Sequence, residues 1–439
     1  MTLTGAVTEK TAPVTLGLPA RLTTEDAMKT VVLDDDPTGT QSATGVRVLL
    51  RWDAERLTTV LCEVDAVYLQ TNSRAVDEAA AVALCRRIRE EIDIAAARLG
   101  EPVQVVLRGD STLRGHVFAE TDVFVSGEPI LFLPAFPAGG RVTVDGIHYV
   151  EVDGRRVSAE QTEYAKDPVF GFGRGDLVGY VQEQGHRAAT TVPLSAVRET
   201  RGEAVADALL AVAAGTVVAP DAETDADIDL VHAGLLAARE RGGRAVVRCA
   251  APLAARCADV VSRGLLKPPL AGGGPVLVVC GSHTTGATAQ LADLYRSHGG
   301  TPLVIDTDAA LADSAAAGRA VVADAEKGLA DRGLAVITSD RNRRAEHNTL
   351  AHGQAVMSAL MTAVRLLAPR VRVVISKGGI TSADVTTIGL GADAATVRGQ
   401  VLPGVSVWDL DAGATCIIVP GNVGGPTTLT EIVQALEPQ

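Results

Sequence analysis

VRVVISKGGITSAD, residues 371–384, is the stretch on which the fold turns. Val371, Val373, Val374 and Ile375 form a short β-branched run, the signature of a buried strand. The run stops at Ser376-Lys377-Gly378-Gly379, and Thr381, Ser382 and Asp384 follow in a helix-like segment. Paired glycines let backbone approach an anion closely. The hydroxyls and the carboxylate, with Asp384 as an N-cap candidate, suit a helix start beside bound phosphate. A Gly-Gly turn after a strand is also an ordinary tight connection, so the reading depends on whether the pattern recurs.

It does recur. Residues 276–280 (VLVVC) run into Gly281-Ser282-His283-Thr284-Thr285-Gly286, and residues 416–419 (CIIV) run into Pro420-Gly421-Asn422-Val423-Gly424-Gly425. A further glycine loop is expected at 399–404, including Gly404. None of these is the P-loop or the Gly-x-Gly-x-x-Gly dinucleotide fingerprint. The first half alternates in the same way. Strands at 31–33, 45–50, 66–69, 103–107 and 130–133 each empty into a polar loop, and the loops carry Asp34-Asp35-Asp36, Arg74, Arg108-Gly109-Asp110-Ser111-Thr112-Leu113-Arg114 and Arg141. In open α/β sheets, ligands bind outside the carboxyl ends of the strands. Three adjacent carboxylates repel one another and are costly to bury unless a cation or hydroxyl meets them, the alternative being a solvated acidic turn. Two guanidiniums, a carboxylate and two hydroxyls within residues 108–114 suit a polyhydroxy carboxylate or a salt-bridged surface loop. His148 beside Tyr149 is open between a base and a packed structural residue.

The composition agrees with an α/β chain. Hydrophobic residues make up 47%, aromatics only 3%, and there are 44 glycines among 439 residues, a balance that favours Ala/Val/Leu packing over a β-sandwich. The net charge of −13 argues against a sequence-independent grip on nucleic acid or an anionic membrane surface. Cys62, Cys85, Cys249, Cys257, Cys280 and Cys416 lack Cys-x-x-Cys spacing and read as reduced, buried hydrophobes. No continuous apolar run has the length of a signal or membrane-spanning segment, which predicts a cytoplasmic protein. Residues 1–29 read as a flexible lead-in. The Pro-Pro and Gly-Gly-Gly stretch at 266–275 reads as a linker between domains at 30–265 and 276–439. The glycine-rich excursion at 160–185 is expected to be a lid or an oligomer contact, so a homo-oligomer stays open. The expected fold is therefore two-domain α/β, each domain a largely parallel sheet flanked by helices, with the active site in the cleft between them.

Taken in order, segments 34–40, 71–74, 110–115, 134–141 with 146–150, 281–285, 377–384, 402–408 and 420–425 resemble the four-carbon acid sugar kinases. These are ATP-dependent enzymes that phosphorylate threonate, erythronate or 3-oxo-tetronate. The resemblance implies a sugar-acid-binding N-terminal domain, a nucleotide-binding C-terminal domain and Mg²⁺ beside the ATP. It implies ATP contacts at Ser282, Gly378, Gly379, Ile380, Thr381, Gly421 and Asn422, with Gly404 close by. It also places Asp34, Asp35, Arg74, Arg108, Asp110, Ser111, Arg114 and Arg141 on the sugar-acid side, with Asp35 or Asp34 as base or hydroxyl orienter. No metal-ligand spacing is visible. The chain departs from many members in Pro37, where they have leucine in a shorter motif, and in Arg108, where they have lysine. Two rival classes keep the same loops: a non-catalytic sugar-acid or nucleotide sensor, and an NAD-linked oxidoreductase, which the missing dinucleotide fingerprint disfavours.

Overall fold

The computed structural model describes residues 28–152, 154–270, 274–341 and 349–436. The lead-in expected at 1–29 lies almost wholly outside the described residues, as does the centre of the expected linker. On either side of that centre, Leu266 N–H bonds the Gln400 carbonyl at 2.7 Å and Leu270 N–H bonds that of Ala435 at 3.1 Å.

Fifteen strands form one sheet. From one edge they run Leu303–Ile305, Leu334–Ser339, Val276–Cys280, Val373–Lys377, Thr415–Val419, Val405–Leu410 and Ala394–Leu402. The sheet continues through Arg47–Leu49, Ala66–Gln70, Lys29–Asp34, Val103–Arg108, Val246–Cys249, Ile130–Leu133, Val217–Pro220 and Ala189–Val192. Each half thus contributes the largely parallel sheet expected of it, and the two are continuous. They meet where Ala394, Ala395 and Thr396 pair antiparallel with Leu49, Val48 and Arg47. The hairpin Ala394–Leu402/Val405–Leu410 supplies the antiparallel strands between the halves. Gly404 sits in its turn at φ +76°, so the glycine loop expected at 399–404 is a hairpin rather than a strand-to-helix loop.

Helices cover both faces, which is why the central strands read as unbroken apolar runs. All five residues of Val276–Cys280 and of Val373–Lys377 are buried. The helices begin and end where their caps dictate. Glu78–Leu99 starts on the Asp77 side chain and stops at left-handed Gly100. Asp225–Glu240 starts in a capping box between Thr224 and Asp227. A separate three-stranded antiparallel sheet, Arg141–Val144, Ile147–Val152 and Arg155–Ser158, packs beside the first half and leads into residues 159–176.

Candidate functional site

The strand Lys29–Asp34 is buried, and its last residue opens the acidic loop. Pro37–Ser42 forms a 3₁₀ turn capped by Asp36, whose Oδ1 accepts from Thr38 N–H at 2.7 Å. The turn is pinned from the other half of the chain. Trp408 Nε1, fully buried, donates to Thr40 Oγ1 at 2.8 Å, and Ser406 Oγ lies 3.1 Å from the same hydroxyl. A single buried nitrogen, Arg108 Nη1, stands 2.9, 3.0 and 3.3 Å from Oδ1 of Asp34, Asp35 and Asp36. Arg74 bridges the acidic loop to the next one. Its Nη2 contacts Asp36 and its Nη1 lies 3.3 Å from Asp110, while its Nε is 3.1 Å from Asp35 Oδ2 without hydrogen-bond alignment. Arg114 Nε donates to Asp110 Oδ2 at 2.9 Å, and its guanidinium sits 5.0 Å over the Tyr164 ring.

These surroundings separate the carboxylates. Burial pushes Asp34 up to about 7, against the opposing pull of Arg108. Burial would also raise Asp110, but Arg114, Arg74 and the Thr112 hydroxyl together hold it well below the usual carboxylate range. His148 resolves as the packed alternative. Its Nε2 donates to the Ser111 carbonyl at 2.8 Å, its Nδ1 lies 3.0 Å from Thr143 Oγ1, and burial lowers it to about 4, so the ring is neutral. Arg141, also buried, reaches the Gly139 carbonyl in the same layer.

The glycine loops of the second half converge. A Cβ on Gly421 would stand 3.1 Å from Ser282 Oγ, and one on Gly378, at φ +117°, would stand 3.2 Å from Thr381 Oγ1. Thr284 caps the helix Thr285–His298 and donates to the Gly421 carbonyl at 2.9 Å. The helix after the Gly-Gly turn is Gly379–Asp384 with Gly378 at its cap position. Asp384 therefore closes that helix and does not cap it, contrary to the expectation from sequence.

A cavity of about 810 Å³ joins the two sets of loops. Of the residues singled out in the sequence, Arg74, Arg114, Ser282, Gly378, Gly379, Ile380, Thr381, Gly421 and Asn422 line it. Asp34, Asp35, Arg108, Asp110, Ser111, Arg141 and Gly404 are not among its lining residues; Asp34, Asp35 and Arg108 form a buried charged cluster that Arg74 and Asp36 join to the cavity wall. The lining carboxylate of the acidic loop is Asp36. Its Oδ2 would be 2.8 Å from a Cβ on Gly379, so the acidic loop of one half abuts the glycine loop of the other. Tyr164, Asp167 and Phe170 from the expected excursion form part of the wall.

Two family models match the chain in succession. Residues 30–257 match a sugar-binding N-terminal domain and residues 277–429 a nucleotide-binding C-terminal domain. The chain belongs to the four-carbon acid sugar kinase family. Among curated proteins, none matches. A solved protein of Salmonella typhimurium LT2 shares the fold, with a TM-score of 0.65 at 19% identity over 92% of this chain and 98% of its own. So does Haemophilus influenzae protein HI1011, with a TM-score of 0.61 at 16% identity over 93% and 100%. A Bordetella bronchiseptica domain of unknown function, solved with bound citrate as a domain-swapped dimer, is 25% identical over 93% and 98%, with a TM-score of 0.38. Among the described residues, no helix is long and apolar enough to cross a membrane.

Lys377 belongs to this site in a way its sequence context did not reveal. It ends the strand Val373–Lys377 and precedes two glycines. Its Nζ turns inward, donating to the carbonyls of Pro420 at 2.7 Å and Val423 at 3.1 Å, and so ties down the loop that carries Gly421 and Asn422. Burial lowers it to about 8. Between pH 8 and its ordinary value of 10.5 the unfolded chain holds a proton that the folded one has shed, so this group's contribution to stability rises with pH. Lys377→Met should therefore lose ground to the wild type as pH goes from 8 to 10 in denaturant titrations. It should also bind nucleotide about tenfold more weakly, the equivalent of one lost hydrogen bond. Parallel stability curves with unchanged nucleotide affinity would refute the tether.

Proposed function

We propose that the protein is an ATP-dependent kinase that phosphorylates a hydroxyl of a four-carbon sugar acid of the threonate, erythronate or 3-oxo-tetronate type. The observation that carries this reading is the contact of Asp36 with Gly379 inside one cavity, which sets the carboxylate and arginine cluster against the glycine loops. Phosphoryl transfer asks the protein chiefly for positioning and charge neutralisation, with a group to orient the attacking hydroxyl. Arg74 and Arg114 meet the acceptor's carboxylate, for which the planar guanidinium fork is suited. Asp36 orients the acceptor hydroxyl and takes its proton, with Asp35 directly behind it. Asp34, enclosed and carrying a raised pKa, holds the loop together through Arg108.

The backbone of residues 378–381, with Ser282, Gly421 and Asn422, forms the phosphate cradle. The room left by absent side chains at Gly378 and Gly421 fits that role. Among the described residues no group of three or more His, Cys, Asp or Glu is arranged to hold a metal. Mg²⁺ takes most of its ligands from phosphates and water and needs only one or two carboxylates, which the cavity lining could supply from Asp36, Asp340 or Asp384. When bound, the ion neutralises phosphate charge.

An ADP-release assay with ATP and Mg²⁺ against threonate, erythronate and 3-oxo-tetronate stereoisomers and longer aldonates tests the reading. Turnover with a four-carbon acid is the expected result. Silence across the panel, with ATP still raising the melting temperature, would replace the kinase with a binding protein.

A further inference from the structure

The acceptor side of the cavity carries one carboxylate, Asp167, with no part in the transfer described above. It stands against Arg114. The Nε of that arginine is committed to Asp110 Oδ2 at 2.9 Å and Thr112 Oγ1 at 3.1 Å, and one face of the guanidinium is covered by the Tyr164 ring. The edge formed by the two terminal nitrogens stays open, with no hydrogen bond among the described residues. Asp167 Oδ2 lies 3.7 Å from Nη1 on that edge, an ion pair too long to be a hydrogen bond, between side chains that are 26% exposed on Arg114 and 23% on Asp167.

Asp167 is seated by its own backbone turn. Its Oδ1 accepts from Val169 N–H at 2.9 Å and from Phe170 N–H at 3.1 Å, a local turn that aspartate readily forms. The side chain therefore does not leave Arg114 by itself; it moves with the tip 167–170. That tip is lightly held. Val169 is 70% exposed, and Phe170 sets its ring edge-on to His116 at 4.9 Å. The base of the excursion is fixed by packing: Phe172 N–H bonds the Ala165 carbonyl at 3.1 Å, both residues are buried, and Phe172 meets the Tyr180 ring edge-on at 5.6 Å. A loop with a packed base and an exposed tip opens locally at little cost.

Asp36, Asp110 and Asp167 pair with Arg74 and Arg114 at this end of the cavity, so an incoming carboxylate adds a fourth negative charge to two positive ones. A partly exposed ion pair without hydrogen-bond alignment holds little against a carboxylate that engages both terminal nitrogens at once. We propose that Asp167 is a resident competitor for the acceptor's carboxylate: it holds the open edge of Arg114 until the acid displaces it, and the tip 167–170 swings aside with it. The inference rests on the acid-binding role given to Arg114 above. The exchange links acid binding to the position of Phe170 in the cavity wall.

The test is calorimetric titration of the full chain, without nucleotide, with threonate and with erythronate. Asp167→Asn keeps an oxygen for the Val169 and Phe170 N–H groups and loses the charge. It should bind the better of the two acids about fivefold more tightly than the wild type does, the upper end for a partly exposed ion pair. Asp167→Glu, which keeps the charge, should show no such gain. If melting shows that the asparagine variant does not fold, Asp167→Ser, whose hydroxyl accepts from the same amides, makes the comparison. Unchanged or weaker binding in the uncharged variant overturns the competition, and so does an equal gain in Asp167→Glu; both outcomes leave the acid-binding role of Arg114 intact. A wild type and an Asp167→Asn variant that bind neither acid, alone or with ADP present, overturn both.

Discussion

Replacing Arg108 with methionine should cost about 3–5 kcal/mol of stability at pH 8, because breaking a buried ion pair from one side strands the opposite charges. Here one guanidinium nitrogen serves three carboxylates, and the side chains of Arg108 and Asp34 are 3% and 0% exposed. No solvent is at hand to take over. The loss should depend on pH in a definite direction. Asp34, pushed by burial up to about 7, keeps a proton in the folded state that the unfolded chain gives up near 3.8. Stability contributed by this group therefore falls as pH rises between those values. Without Arg108 the folded-state value climbs further, and the falling window extends upward. The gap between wild type and Arg108→Met, measured as urea midpoints, should widen from pH 5.5 to pH 8. Adding Asp34→Asn to the variant should recover part of it, since the pair is coupled. An equal gap at both pH values would mean that the arginine acts through packing alone.

The depth of this cluster also explains what could be read from the sequence and what could not. Strands such as Val276–Cys280 and Val373–Lys377 announce themselves because a sheet covered on both faces needs an unbroken apolar run, and a glycine and hydroxyl loop after each marks a ligand-binding sheet edge. That local grammar was enough for the α/β class and for the glycine and hydroxyl loops that begin at Gly281, Gly378 and Gly421, which border the cavity. It carries no information on pairing between remote segments, so the antiparallel seam of Ala394, Ala395 and Thr396 with Arg47–Leu49 was not legible. Nor does it say which way a side chain turns once the strand has ended. Of three consecutive aspartates, the loop anchored by Trp408 presents Asp36 to the cavity and folds Asp34 and Asp35 behind it. Lys377 was invisible for the same reason: its partners are carbonyls more than forty residues away. Tyr164, Asp167 and Phe170 reach the cavity from an excursion whose glycines signalled a loop but not its destination.

The placement of Asp36 leads to the prediction that most directly separates it from its neighbours. Asp36→Asn should lower kcat by about 10²–10⁴, the usual worth of a positioned acid or base, while ATP affinity stays within a fewfold. The amide keeps an oxygen for the Thr38 N–H that Asp36 caps, so the 3₁₀ turn should survive, and the variant's melting temperature provides the check. What the amide cannot do is take a proton or present a full charge to Arg74 and the acceptor hydroxyl. Asp34→Asn, by contrast, should leave kcat within a fewfold near neutral pH, because that carboxyl is enclosed, stands behind the cavity and already carries a proton part of the time at pH 7. Turnover measured for the two variants with the same acid decides between them. Comparable losses would put the reacting hydroxyl against Asp34 and Asp35, as the family resemblance alone implied. A large loss confined to Asp36 would place the chemistry where the acidic loop meets Gly379.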